Sequence, residues 1–161
     1  MKKPTVILAS GYFDPLHAGH VEHLEKARAL GDKLVVILNN DQQAVKRKGY
    51  YFMPQSERIR IVKGLRSVDD VFLSIDDDES VRLSIAACYH QFHPVIFAKG
   101  GDRKAEEIPE ARQCYDYGIK IVDGLGKKLQ SSSDLIKRVL RVFSLKKILQ
   151  RGEDQNPSGK D

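Results

Sequence analysis

The chain has 161 residues, 41% of them hydrophobic and 30% charged, which suits one domain with its own core. No apolar run nears the length of a membrane span, and the short charged start lacks the apolar stretch of a secretory signal, so a cytoplasmic protein without membrane partners is expected. A net charge of +5 raises nucleic acid as a partner, but aromatic residues are few and scattered and no nucleic-acid-binding motif is visible, so an anionic small substrate and a basic last helix explain the excess as well.

The first apolar run, Val6-Ile7-Leu8-Ala9, reads as a buried parallel strand. It leads through Gly11-Tyr12-Phe13-Asp14-Pro15-Leu16-His17-Ala18-Gly19-His20 into a helical pattern with Val21, Leu24 and Ala27 on one face. Gly11 suits a sharp turn off the strand, and Gly19 leaves room for a ligand against the first helical turn. That turn offers unpaired N–H groups and the positive end of the helix dipole, which favour an anion. His17 and His20 stand three residues apart, so at a helix start they face the same side. From there two imidazoles can donate to phosphate oxygens and stabilise charge developing at phosphorus; the plainer alternative is that they cap the helix or bond locally.

Leu30-Gly31-Asp32 stops this helix, and 33–39 is a second buried strand, which sets a βαβ rhythm. Asn40 and Asp41 can cap a short helix ending in Lys46-Arg47-Lys48-Gly49. That cluster is either a solvated helix end, where cations complement the dipole, or a basic segment that closes on phosphates. The aromatic run 50–54 serves as a lid or a dimer surface, and spacing alone does not choose. A helix opens at 55–58 with Ile59, Ile61, Val62 and Leu65 on its apolar side, followed by a third strand over 70–75.

The carboxylates Asp76, Asp77, Asp78 and Glu79 suit the N-terminus of a crossover helix over 80–91 better than a metal site. A fourth strand over 95–98 runs into Lys99-Gly100-Gly101-Asp102, a second glycine turn at a strand's C-terminal end, where ligands sit in open α/β sheets. A helix over 105–117, stopped by Gly118, precedes a fifth strand over 119–122. Cys88 and Cys114 fall in helical patterns with no metal-binding spacing and read as free thiols of a reducing compartment.

Ser131, Ser132 and Ser133 stand before the last helix, 134–150, and capping explains one of them but not three. With Lys127 and Lys128 upstream, these hydroxyls and the free N–H groups can hold the β- and γ-phosphates of a nucleoside triphosphate. The last helix is basic and amphipathic, a pattern that can touch acidic lipid, but its apolar side is expected to pack on the sheet or a partner subunit, the more ordinary use. Residues 151–161 are too polar to pack and read as a tail beyond a domain spanning 1–150. With no repeat or linker, the elements predict one Rossmann-like, doubly wound α/β domain with about five parallel strands in the order 3-2-1-4-5.

Gly11-x-Phe13-Asp14-x-x-His17-x-Gly19-His20 resembles the signature of the cytidylyltransferase-like nucleotidyltransferases, whose HxGH is related to the HIGH motif of class I aminoacyl-tRNA synthetases. Glu57-Arg58 through Leu65-Arg66-Ser67-Val68-Asp69 is similar to the family's ER…LRxVD stretch, and the three serines to its final ISTT or SSTxI motif. Lys99-Gly100-Gly101-Asp102, with Leu30-Gly31-Asp32 and Arg47-Lys48-Gly49, resembles the heptose-phosphate adenylyltransferases; the Arg-Thr-Glu-Gly that precedes ISTT in many cytidylyl enzymes is absent.

The resemblance implies transfer of a nucleotidyl group from ATP or CTP to a sugar or polyol phosphate, with release of pyrophosphate. Mg²⁺ is held mainly by the triphosphate, with no dedicated protein ligand. His17, His20 and Lys46 are the implied catalytic residues, and Lys48 joins Lys46 at the phosphates ahead of Arg47. Gly11, Tyr12, Phe13, Asp14 and Gly19 of the first motif are implied at the nucleotide, with Asp14 orienting the loop or approaching the metal. Arg58 and Arg66 approach phosphate, while Lys99, Gly100, Gly101 and Asp102 lie near nucleotide or phosphate. A homodimer is expected. Two other readings remain: a silent regulatory protein that binds nucleotide without releasing pyrophosphate, and a nucleic-acid module whose salt-sensitive binding survives loss of His17.

Overall fold

Alternation along the strands decides what covers each face of the sheet. In the computed structural model, which describes residues 3–100, 108–125 and 130–153, five strands form: β1 (Val6–Gly11), β2 (Lys33–Leu38), β3 (Asp70–Leu73), β4 (Ile96–Ala98) and β5 (Lys120–Val122). All pair in parallel, in the order β3-β2-β1-β4-β5, with Val6 opposite Lys33 and Gly11 opposite Leu38 in the central pair. This is the expected doubly wound arrangement.

Val6, Leu8, Val35 and Ile37 point to one face, covered by α4 (Arg82–Phe92) and α5 (Ala111–Asp116) through Ile85, Cys88 and Cys114. Ile7, Ala9, Leu34, Val36 and Leu38 point to the other, covered by α1 (Ala18–Arg28) and α3 (Gln55–Lys63) through Leu24, Ala27 and Val62. A side-chain period of two therefore splits one apolar strand into two cores. Both cysteines are free and buried, and burial pushes their thiols up to about 12, which leaves them protonated and inert.

Several boundaries differ from the sequence reading for local reasons. The third strand stops at Leu73, because Asp76 turns inward and its carboxylate accepts the N–H groups of Leu83 at 2.8 Å and Ser84 at 2.9 Å, capping α4. The acidic run does serve as a cap, but for a helix that begins at Arg82. Pro109 restricts Ile108 before it, so 108–110 form a turn and α5 starts only at Ala111. Residues 105–107 of the helix expected there lie outside the described residues.

The last helix, α6 (Ser132–Glu153), begins two residues before the expected start and runs through 151–153 of the expected tail; residues 154–161 lie outside the described residues. Over 137–145 its apolar side does not pack on the sheet. Residues 137–145 are all exposed, Leu140 and Phe143 at 61% and 66%. No helix among the described residues is long and apolar enough to cross a membrane.

Candidate active site

Strand order reverses beside β1, so a crevice opens between the exits of β1 and β4. It encloses about 570 Å³. Phe13, at φ 51°, makes the turn off β1 and is itself buried. Its ring folds back under Gly11, where a Cβ would lie 2.9 Å from Phe13 Cζ. Gly11 is thus required for room beside a ring, not for the turn itself. The same ring meets His20 edge-on at 5.1 Å.

His17 is the N-cap of α1 and His20 lies one turn on, so their rings stack at 3.7 Å with 16° between planes. The His17 backbone N–H donates to His20 Nδ1 at 3.3 Å, which leaves the His20 proton on Nε2. Local bonding and a donor role are therefore compatible in one ring. Burial, with the charges of His17, His23 and Lys48, pushes His20 down to about 3; burial also lowers His17. Near neutral pH the pair offers N–H donors without a charge, beside the unpaired amides of the helix start.

The three serines share the facing wall and divide their work. Ser131 Oγ accepts the Asp134 N–H at 3.1 Å and donates to the Asp134 carboxylate at 2.6 Å, capping α6. Ser132 Oγ donates to the Pro15 carbonyl at 2.9 Å and ties that helix start to the first motif. Ser133 lines the cleft and is exposed. Gly19 and Gly100 line it too, whereas Gly101, Asp102, Lys127 and Lys128 lie outside the described residues.

The cations fall differently from the sequence reading. Arg47 and Lys48, at the end of α2 (Asp41–Lys48), line the cleft beside Tyr12, with Lys48 Nζ 5.2 Å and Arg47 Cζ 5.4 Å from the Tyr12 ring centre. Lys46 does not: its ammonium donates to the Asp77 carbonyl at 2.5 Å outside the cleft. Residues two apart on a helix point about 200° apart, so Lys46 and Lys48 cannot both face one ligand. Burial lowers the Lys48 pKa, while the neighbouring Asp14 carboxylate opposes that shift.

Asp14, Arg58 and Arg66 also sit away from the cleft surface. The Asp14 carboxylate accepts the N–H groups of Phe52 at 2.8 Å and Met53 at 2.7 Å, so it anchors the aromatic segment; the loop-orienting alternative describes it. Arg58, fully buried, donates to the carbonyls of Met53, Tyr12 and Asn39 and pairs with Asp41 at 2.5 Å. Four donors committed to the framework leave it a brace for the motif backbone, not a phosphate ligand. Arg66 is exposed just before β3, at the N-terminal edge of the sheet, a strand's length from the crevice at the C-terminal edge. Among the described residues no three metal-ligating side chains gather.

Among the cleft residues that escaped the sequence reading, two stand out. His23 continues the His17 and His20 face by one more turn, a spacing that could have revealed it. Its Nδ1–H donates to the Leu125 carbonyl at 3.2 Å, and its ring leaves so little room that a Cβ on Gly100 would lie 2.9 Å from Nδ1. Burial lowers its pKa, so it stays a neutral tie between α1, the β4 exit and the segment after β5. Glu110, 3% exposed, follows a proline in a polar stretch and gave no sequence signal. Its Oε2 lies 3.9 Å from Lys99 Nζ, and both residues line the cleft.

Comparison with known proteins shows the family and the fold. The "Bifunctional protein HldE" of Citrobacter koseri is 36% identical over 141 residues, covering 80% of this chain and 28% of that protein. That of Streptomyces coelicolor is 39% identical over 120 residues, covering 73% of this chain and 25% of its own length. The chain therefore spans about a quarter of these relatives. The crystal structure of the lipopolysaccharide core biosynthesis protein from Thermoplasma volcanium superposes with a TM-score of 0.60 at 25% identity, covering 74% of this chain and 95% of that one. Pantothenate synthetase from Thermus thermophilus, 17% identical with a TM-score of 0.55 over 82% of this chain and 61% of its own, shares the fold. The cytidylyltransferase-like family model matches residues 8–139, which include the first motif and all three serines, and the chain belongs to that family.

Proposed function

We propose that the protein is a nucleotidyltransferase that moves a nucleoside monophosphate from ATP or CTP to a sugar or polyol phosphate. A phosphate oxygen of the acceptor attacks the α-phosphorus, the bond to the bridging oxygen of the β-phosphate breaks, and pyrophosphate leaves with that electron pair. No protein nucleophile is needed, since both substrates bring their own reacting groups. His17 and His20 donate N–H bonds to the α-phosphoryl oxygens as their charge grows, from rings already fixed by stacking. Ser133 and the amides at the start of α6 receive the outer phosphates, and Arg47 and Lys48 hold anionic charge on the opposite side.

The Asp14 carboxylate is committed to two backbone N–H groups, which leaves the triphosphate as the carrier of Mg²⁺ in this reading. Mg²⁺ held by the triphosphate would supply charge neutralisation for the pyrophosphate. The observation that carries the reading is the neutral His17–His20 stack facing the serine-bearing start of α6 across one cleft. The homodimer joins through the exposed apolar side of α6, and sedimentation velocity checks it.

The test is pyrophosphate release with Mg²⁺ across a panel of sugar and polyol phosphates, each with ATP and with CTP, against His17→Ala. Release that needs one acceptor, one nucleotide and His17 is expected. Nucleotide binding with no release from any pair would favour a silent regulatory protein.

A further inference from the structure

Three buried side-chain atoms among the described residues have no hydrogen-bond partner: Tyr12 Oη, His17 Nδ1 and Glu110 Oε2. All three residues line the cleft. A buried polar atom without a partner costs stability, so three of them at one place indicate that a ligand completes them. Tyr12 lies beside Arg47 and Lys48, where an anion is the natural complement. Burial raises the Tyr12 pKa, which keeps its hydroxyl a donor.

Glu110 is of the opposite kind. It presents a carboxylate oxygen in a cleft otherwise rich in donors, with Val81 and Pro109 as apolar neighbours along the wall. Lys99, at 3.9 Å, is too far to hydrogen-bond that oxygen. A phosphate here would meet a like charge, whereas an uncharged group with an O–H or N–H would meet an acceptor. We infer that Glu110 determines specificity: its Oε2 accepts a hydrogen bond from a hydroxyl or amino group on the uncharged part of a bound substrate. This rests on the transferase reading. The same chemistry is found on the ribose or base of the nucleotide and on the polyol of the acceptor. A substrate without that donor would leave Oε2 buried without a hydrogen bond, the kind of mismatch that a binding site rejects most strongly.

The experiment is steady-state kinetics of the full chain and of Glu110→Ala and Glu110→Gln, with KM determined separately for nucleotide and acceptor. Calorimetric titration of ATP and CTP and a thermal melt accompany it. Glu110→Ala is expected to weaken one substrate about 10- to 100-fold with kcat within about threefold, and Glu110→Gln to recover part of the loss. A weakened nucleotide places the donor on ribose or base, and 2′-deoxy and 3′-deoxy nucleotides then separate these. A raised acceptor KM places it on the acceptor. Unchanged affinities with a lowered melting temperature overturn the inference and leave Glu110 a structural partner of Lys99. A fall in kcat alone overturns it too. If the wild-type chain binds nucleotide but releases no pyrophosphate, the transferase reading has failed; an unchanged nucleotide affinity in Glu110→Ala then overturns this inference as well.

Discussion

Beneath the aromatic segment 50–54, the Asp14 carboxylate takes two backbone N–H groups and Arg58 makes four bonds, while in the cleft Tyr12 Oη, His17 Nδ1 and Glu110 Oε2 have no hydrogen-bond partner. Both clusters are buried, both draw on the first motif, and both carry charge or strong dipoles. Pairing is what separates them. A buried polar group with all its partners supplied by the chain is part of the frame, and one left without a partner has its complement elsewhere. Residue type does not tell the two apart: Arg58 and Lys48 are both cations next to the motif, and only one faces the cleft.

The largest effect should fall on the frame. Arg58→Met removes a buried guanidinium and strands Asp41 together with three carbonyls, so urea unfolding should show a loss of about 3–5 kcal/mol. Arg58→Lys should rescue little, because an ammonium cannot reproduce the planar fork. A stable Arg58→Met protein that merely binds phosphate poorly would reverse the comparison and put Arg58 back at the substrate.

On the cleft side the effect should be on rate alone. His17→Ala should lower kcat by about 10²–10³, the usual cost of losing a transition-state donor, with the unfolding midpoint unchanged or slightly raised. Removal of a buried nitrogen that has no partner offsets the loss of the ring stacked on His20. Loss of stability comparable to that of Arg58→Met would mean that His17 belongs to the frame.

Acid should strain the cleft before the frame. His20 falls from the model-peptide 6.5 to about 3 in the fold, so between those values the unfolded chain binds the proton more readily. Stability is therefore complete above about pH 6.5 and declines as pH falls towards 3, and urea midpoints from pH 7.5 to 5 should follow that slope. His20→Phe should flatten it. Nucleotide binding should oppose the decline, since phosphates beside the ring favour its protonated form.

The sheet order and the caps of α2 and α6 were legible in the sequence: continuous apolar runs alternate with helical patterns, Asn40 stands before α2, and serines stand before α6. Positions in the site were legible only where motif and helix geometry agreed, as for His17 and His20. Arg58 and Arg66 misled because a helical arginine looks the same whether it braces a loop, faces solvent or binds phosphate; that depends on which edge of the sheet its helix end reaches. Glu110 was invisible because it sits in a turn, where no periodicity or cap signal in the sequence reports burial. The unpacked apolar side of α6 was legible as a stripe, but what covers it was not.

The smallest expected effect tests the finest distinction in the molecule, between neighbours on a two-turn helix. Lys46 and Lys48 differ by about 200° around α2, which sends one ammonium to the Asp77 carbonyl and the other into the cleft. Lys48→Ala should raise the KM of an anionic substrate about tenfold, with a weaker dependence on salt. Lys46→Ala should change kcat and KM by no more than about twofold, since a surface ammonium bonded to one carbonyl contributes little. Arg47→Ala should fall between them, because its guanidinium is shared between the Tyr12 ring and Glu79. If Lys46→Ala instead proves as damaging as Lys48→Ala, then α2 must turn about its axis or unwind when substrate arrives. In that case the cleft as it stands is an open form, and the basic cluster works as the mobile segment that its sequence first allowed.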